Sequence, residues 1–182
     1  WDTNWNPDID PQHRRRNPND VSGVGLITHL TMWAETDEGL VNLMKASTDA
    51  NLEGRVMRYP RMDKEILAKY SKGIIASSGC PSGIIQTRLL LGQFDEALRA
   101  AGELQDIFGR DNFYIEFMDH GLKIEKQVTD GLLDIAKKLN APLLATNDSH
   151  YVRAEDAGSQ DAMLCINSGS TLDEPGRFKF DG

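Results

Sequence analysis

Two hydrophobic rhythms alternate along the chain. Short apolar runs, the pattern of buried strands, are separated by longer stretches whose apolar side chains return at helical spacing. Gly23–Ala34 (GVGLITHLTMWA) reads as a strand ending at His29. Thr36 or Asp37 then opens a helix through Leu40, Val41, Leu43, Met44 and Ala46, which Gly54 stops at or just beyond Leu52. Met62–Ser71 is a short helix with Asp63 as N-cap. Residues 73–78 form a second strand, and Cys80-Pro81-Ser82-Gly83 turns from it into a helix ending near Gly92. Phe94–Phe108 is an amphipathic helix with Gly109 as its stop. Asn112–Met118, aromatic and β-branched, is the third strand, and Val128–Leu139 the next helix. Pro142–Thr146 is a fourth strand, followed by a helix over Ala154–Cys165. Strands alternating with helices predict an α/β fold, with a parallel sheet or barrel.

The ends break this rhythm. Residues 1–24 are polar, with Pro7, Pro11, Pro18 and a His13-Arg14-Arg15-Arg16 cluster, and read as an irregular lead-in. A solvated loop is the preferred reading of that cluster over a phosphate contact. Residues 171–182 carry Pro175 and Gly176 and read as an exit linker. The body, residues 25–170, is one domain's worth of chain.

Composition narrows the class. At 182 residues, 40% hydrophobic and 26% charged, the chain resembles ordinary soluble globular proteins and can bury a real core. No apolar run approaches the roughly 18 residues of a membrane span, and no basic, apolar leader is present. Two cysteines, Cys80 and Cys165, make no disulfide framework, so a reducing cytoplasm is expected. A net charge of −8 argues against gripping nucleic acid by basic charge alone. Bound divalent ions would reverse that local field, so a nucleic-acid substrate is not excluded. The chain opens on Trp1 rather than Met, and the expectation is a segment of a longer polypeptide or a processed product.

The chemistry collects where strands end, the edge on which α/β folds place their sites. The first exit offers His29, the second Cys80, the third Glu116 with Asp119 and His120, and the fourth Asp148 and His150. In an extended chain Asp148 and His150, two apart, point the same way. Imidazole, thiolate and carboxylate are the donors zinc accepts, and a mixed N/O/S set suits a transition metal better than Mg²⁺ or Ca²⁺. Each residue also has a plainer role. His29 alone would be a core histidine bonded to a carbonyl, and Cys80 a small buried hydrophobe. Cys80 lies ahead of a helix start, where backbone N–H groups favour a thiolate. A phosphatase-type nucleophile would want an arginine in the adjoining loop, whereas Arg88 falls inside the helix. Glu116 reads equally as a strand carboxylate, His120 as part of an Asp-His-Gly turn, and Asn147-Asp148-Ser149 as turn chemistry. Cys165, beside Met163, Leu164 and Ile166, reads as core.

Taken in order, HLTMWAETDEGLVNLMKAS, SGCPSG, FYIEFMDHGL, ATNDSHY and LDEPGRFKF resemble the polymerase-and-histidinol-phosphatase (PHP) domain that opens bacterial replicative DNA polymerase III alpha subunits. The resemblance runs from about Val21 to Gly182, and its details lean toward the actinobacterial type. It implies a distorted β/α barrel, here partial, that holds up to three divalent ions through nine side chains. His29 matches the histidine of the family's HLT motif, Cys80 the cysteine of SGC, and Asp148 with His150 the late Asp-x-His pair. Glu116 and His120 match recurring positions that are not assigned as ligands. The other five ligands precede this stretch in the family, and residues 1–28 supply no replacement. Zinc is the metal implied first, with manganese and magnesium as alternatives.

The implied activity is metal-dependent 3′→5′ exonucleolytic proofreading at the primer 3′ end of DNA, within a polymerase that meets other replicative subunits such as the sliding clamp and no membrane. The segment alone is expected to be inactive, and residues 171–182 would lead on to the polymerase body. Two alternatives stay open: a non-catalytic module that stabilises the polymerase and contacts partners, and a free-standing PHP-type phosphoesterase. The closing LDEPGRFKFDG, which resembles a run-on into the polymerase body, counts against the latter.

Overall fold

The computed structural model describes residues 27–55 and 60–180. The expected lead-in over residues 1–24, with its arginine cluster, lies outside the described residues, as do residues 23–26 of the first expected strand. The chain divides into two compact units, one ending at Thr146 and one beginning at Asn147.

The first unit is a four-stranded sheet with helices between its strands. Strands β1 (Thr31–Ala34), β2 (Ile74–Ser77), β3 (Phe113–Phe117) and β4 (Leu143–Ala145) lie side by side in that order. β2, β3 and β4 are parallel, as connections through helices require. β1 is antiparallel to β2, with Thr31 opposite Ser77 and Ala34 opposite Ile74. The sheet is thus mixed and does not close into a barrel, which is consistent with a partial PHP-type barrel. The expectation of all-parallel strands fails at β1 for a topological reason. β1 joins β2 through the two helices α1 (Asp37–Leu52) and α2 (Lys64–Tyr70), and hydrophobic patterning carries no information on strand direction.

The remaining helices are α3 (Ile84–Leu90), α4 (Phe94–Phe108) and α5 (Lys123–Leu139). Ala97, Ala100, Ala101, Leu104 and Phe108 of α4 recur at helical spacing and are buried, as are Val128, Leu132, Ile135 and Ala136 of α5. They form one core with Ile74 and Ala76 of β2 and Phe113 and Ile115 of β3, residues two apart that share a sheet face. Caps fix the helix starts. The Thr36 hydroxyl accepts from the Gly39 N–H at 3.1 Å, and the Asp63 carboxylate from the Ile66 N–H at 2.8 Å. Gly39 meets the turn before β2 so closely that a Cβ there would lie 1.8 Å from the Gly73 carbonyl oxygen. This contact locks the start of α1 to the start of β2.

The second unit contains a short 3₁₀ turn, Ala154–Asp156, and helix α6 (Ala157–Ser168), on which Cys165 is buried as expected. Arg177 of the tail grips Asp161 of α6 with both terminal nitrogens, and its Nε donates to the Leu172 carbonyl at 3.1 Å. The guanidinium holds the Asp161 carboxyl below the usual carboxylate range. Among the described residues no helix is long and apolar enough to cross a membrane.

Candidate metal-ligand pair and the strand exits

His29 does not end a strand, as its sequence setting suggests. It precedes β1, bridged to Gly83. Because β1 is antiparallel, the residues before it stand at the carboxyl end of β2, where Cys80 leaves. The reversal of β1 therefore delivers His29 to the edge expected of it by a different route.

The local backbone makes the contact. Gly79, at φ +77°, turns the chain out of β2. The Gly83 N–H donates to the Cys80 carbonyl at 2.7 Å, closing the Cys-Pro-Ser-Gly turn, and the His29 N–H donates to Ser82 O at 3.0 Å. Gly83 tolerates no side chain, since a Cβ would lie 2.3 Å from Ser78 O. Pinned this way, His29 Nδ1 lies 3.3 Å from Cys80 Sγ. That is hydrogen-bond range for a thiol–imidazole pair. It is also close to the roughly 3.5 Å that separates N and S donors on one tetrahedral zinc, given metal–ligand bonds of about 2.0–2.1 and 2.3 Å. The pair fits one edge of a metal site. Among the described residues no group of three His, Cys, Asp or Glu side chains is placed to hold an ion. The pair is therefore an edge and not a cage.

Cys80 stands four residues ahead of Ile84, and an imidazole lies beside its sulfur. Arg88 is buried and donates to Gln93 Oε1 at 2.8 Å, within α3 and not in the loop that carries Cys80.

Glu116 is a buried brace. On the sheet face opposite Phe113 and Ile115, its carboxylate accepts from the Ser77 and Thr146 hydroxyls. Its backbone N–H donates to Ser78 Oγ at 2.9 Å. One side chain thus ties β2, β3 and the residue after β4, and fixes the point from which Asn147 and Asp148 depart.

His120 belongs to a pair that the sequence did not reveal. Its Nδ1 lies 2.5 Å from Oε1 of Glu125, a buried carboxylate in the first turn of α5. Oε2 of the same group accepts from the backbone N–H of His120 at 2.8 Å and of Leu122 at 3.2 Å. Glu125 at the third helical position reaching back to the Leu122 N–H is the returning half of a capping box. A Glu following an Asp-His-Gly turn by four residues was the available signal. Burial pushes the Glu125 carboxyl up, but the His120 ring and the two backbone donors outweigh it and hold the group below its usual value. A carboxyl with a lowered folded pKa contributes stability above its unfolded pKa of about 4.3 and loses it as the pH falls through and below that value. The expected outcome is that Glu125→Gln flattens the acid limb of a thermal-melting profile between neutral pH and pH ~3, with little change at the acid end.

Asp148 and His150 open the second unit. Asp148 has φ +44°, a left-handed conformation that Asp adopts more readily than most residues. The chain is therefore not extended there, and the geometric argument for two side chains pointing the same way does not hold. A different relation replaces it: His150 Nδ1 lies 2.6 Å from the Asp148 carbonyl oxygen. A carbonyl can only accept, so Nδ1 carries the proton and Nε2 the lone pair, the tautomer of a histidine ready to ligate a metal. Phe180 packs on the same ring, with centroids 4.3 Å apart.

Comparison with known proteins places these features. The family model of the PHP domain matches residues 8–120. The chain is 57% identical over 163 residues to a DNA polymerase III subunit alpha of Saccharopolyspora erythraea, and 55% identical to that of Mycobacterium tuberculosis, in each case over 90% of the chain. Identity to the Treponema pallidum subunit is 41% over 152 residues. The chain spans 14% of the length of the first two relatives and 13% of the third. A family match over most of the chain, carried on this sheet and these strand exits, leads to one conclusion: the chain belongs to the PHP domain family.

Proposed function

We propose that this chain is the later portion of the PHP domain of a DNA polymerase III alpha subunit, with residues 25–170 forming that portion and 171–182 leading toward the polymerase body. In the whole subunit His29, Cys80, Asp148 and His150 ligate divalent metal, zinc first among the candidates. The domain of the whole subunit would hydrolyse phosphodiesters from the 3′ end of a DNA primer, in the cytoplasm, in company with other replicative subunits such as the sliding clamp. The observation that carries the reading is the 3.3 Å approach of His29 Nδ1 to Cys80 Sγ, built by two separate segments of chain. The His150 tautomer set by the Asp148 carbonyl supports it from the second unit.

A divalent ion held by these residues would supply positive charge to stabilise the charge that develops in phosphate-ester hydrolysis. The chain's own residues do the rest. The Gly79–Gly83 turn positions the thiol, Glu116 braces the strand exits, and the Asp148 carbonyl holds the His150 ring. The competing reading is a non-catalytic module that stabilises the polymerase and contacts its partners.

His150→Ala and Asp148→Asn in the complete subunit separate the two. The catalytic reading expects bound metal to fall by one equivalent or more and 3′→5′ degradation to drop at least tenfold, since ligand and near-ligand changes cost about 10–100-fold. Unchanged metal content and unchanged degradation in both variants would refute it.

A further inference from the structure

Helix α1 carries its large apolar residues on the face turned away from the core. The face that it buries is made of the small residues Gly39, Ala46 and Ala50. Leu40, Val41, Met44 and Leu52 gather on the opposite side, with Met44 59% and Leu52 77% exposed. A single exposed leucine needs no explanation, but a patterned set does. Leu40, Met44, Thr48 and Leu52 follow one another in steps of four, a ridge of the kind that packs into the groove of another helix. The polar residues of this face already spend donors on the helix itself. The Thr48 hydroxyl donates to the Met44 carbonyl at 2.9 Å, and the Asn51 amide to that of Ser47 at 2.8 Å. Helix α4, by contrast, exposes no large apolar side chain among the described residues, and α5 exposes only Leu133.

The position of α1 in the fold leaves this face open. β1 forms one edge of the sheet and pairs with β2, and α1 packs on these two strands and on α2. Sheet and helix layer therefore stop together, and Trp33 of β1 is itself 41% exposed. Residues 1–24 are polar and interrupted by Pro7, Pro11 and Pro18, so they offer no apolar helix to lay on the ridge. The chain spans 14% of the length of its Saccharopolyspora erythraea and Mycobacterium tuberculosis relatives, which leaves most of such a polypeptide to supply the cover.

We propose that the outer face of α1 is an intramolecular docking surface, covered in the complete subunit by an apolar helix face from elsewhere in the same polypeptide. The inference rests on the reading of this chain as part of an alpha subunit and does not involve the metal.

The test is the reactivity of single introduced cysteines toward a maleimide, located by peptide mass spectrometry. Leu40→Cys and Met44→Cys are made separately in the complete subunit, and each is compared with the same variant denatured in urea. Both are expected to react more than about tenfold more slowly in the native subunit, since a covered side chain reacts only when the structure opens locally. Thermal melts establish that each variant is folded, and Thr48→Cys, a smaller change on the same ridge, replaces any that is not. A native rate within about tenfold of the denatured one would leave the face open to solvent and overturn the proposal. Protection that appears only as the subunit concentration rises would assign the face to a second copy, and protection only on adding other replicative proteins would assign it to a separate partner; either overturns the proposal. Failure here leaves the metal and degradation results untouched, and failure of those leaves this face to be judged by the labelling alone.

Discussion

Phe113→Ala is expected to cost about 3–5 kcal/mol of folding stability, the range for emptying a fully buried aromatic site. Phe113 opens β3 with no exposed surface, opposite Ala76 in the register, inside the cluster shared by β2, β3, α4 and α5. Ala76 opposite it and Ala97, Ala100 and Ala101 of the same cluster are small, and such residues cannot swing in to fill the space that it leaves. With typical domain stabilities of about 5–15 kcal/mol, such a loss is a large share of the total. The check is a urea titration: the midpoint should fall sharply at nearly constant slope. Phe113→Leu, which keeps most of the volume, should lose markedly less. Equal losses for Ala and Leu would mean that the site depends on aromatic geometry and not on filled volume.

The second large effect is on metal. The paired variant His29→Ala/Cys80→Ala removes both donors that the fold brings to 3.3 Å. It is expected to lower zinc affinity of the complete subunit by at least 10²-fold and to abolish 3′→5′ degradation, with polymerisation retained. Neither side chain belongs to the buried core, so the protein should remain folded. Loss of metal-site function with a melting temperature within a few degrees of wild type would set this apart from a packing defect. Since the two residues would act on one ion, the single variants should each approach the double variant and their effects should not add.

Much of this was legible in the sequence, for identifiable reasons. Helix α4 runs over Phe94–Phe108 as expected because its apolar spacing is strong and Gly109 ends it. Asp63 was recognisable as a cap because a short side-chain acceptor three residues before a free N–H is a local device. α5 starts at Lys123, five residues before the Val128 at which its apolar spacing becomes regular. Its N-cap position is Leu122, with no capping side chain, and the acid that closes the turn lies inside the helix at Glu125. The same turn holds the His120–Glu125 pair, whose members are joined by its fold and not by periodicity.

Strand direction was not legible. Alternation reports which face is buried, and a strand reads the same in either direction. His29 reaches Cys80 because an antiparallel strand begins where its parallel neighbours end, an outcome that patterning cannot distinguish from the expected one. Asp148 shows the opposite failure. The two-residue spacing to His150 invited an extended-chain argument, yet the backbone there is left-handed. The carbonyl contact that orients His150 comes from that turn, which no spacing in the sequence signals.

The assignment of Cys80 as a thiolate ligand beside His29 is tested most directly by the absorption spectrum of the cobalt(II)-substituted complete subunit. A sulfur ligand gives an intense thiolate-to-cobalt charge-transfer band, and nitrogen and oxygen ligands do not. The expected result is that the wild-type protein shows this band, that Cys80→Ser removes it while the protein stays folded, and that His29→Gln weakens or shifts it. A cobalt-loaded wild-type spectrum without the band, or one that Cys80→Ser leaves unchanged, would contradict the assignment.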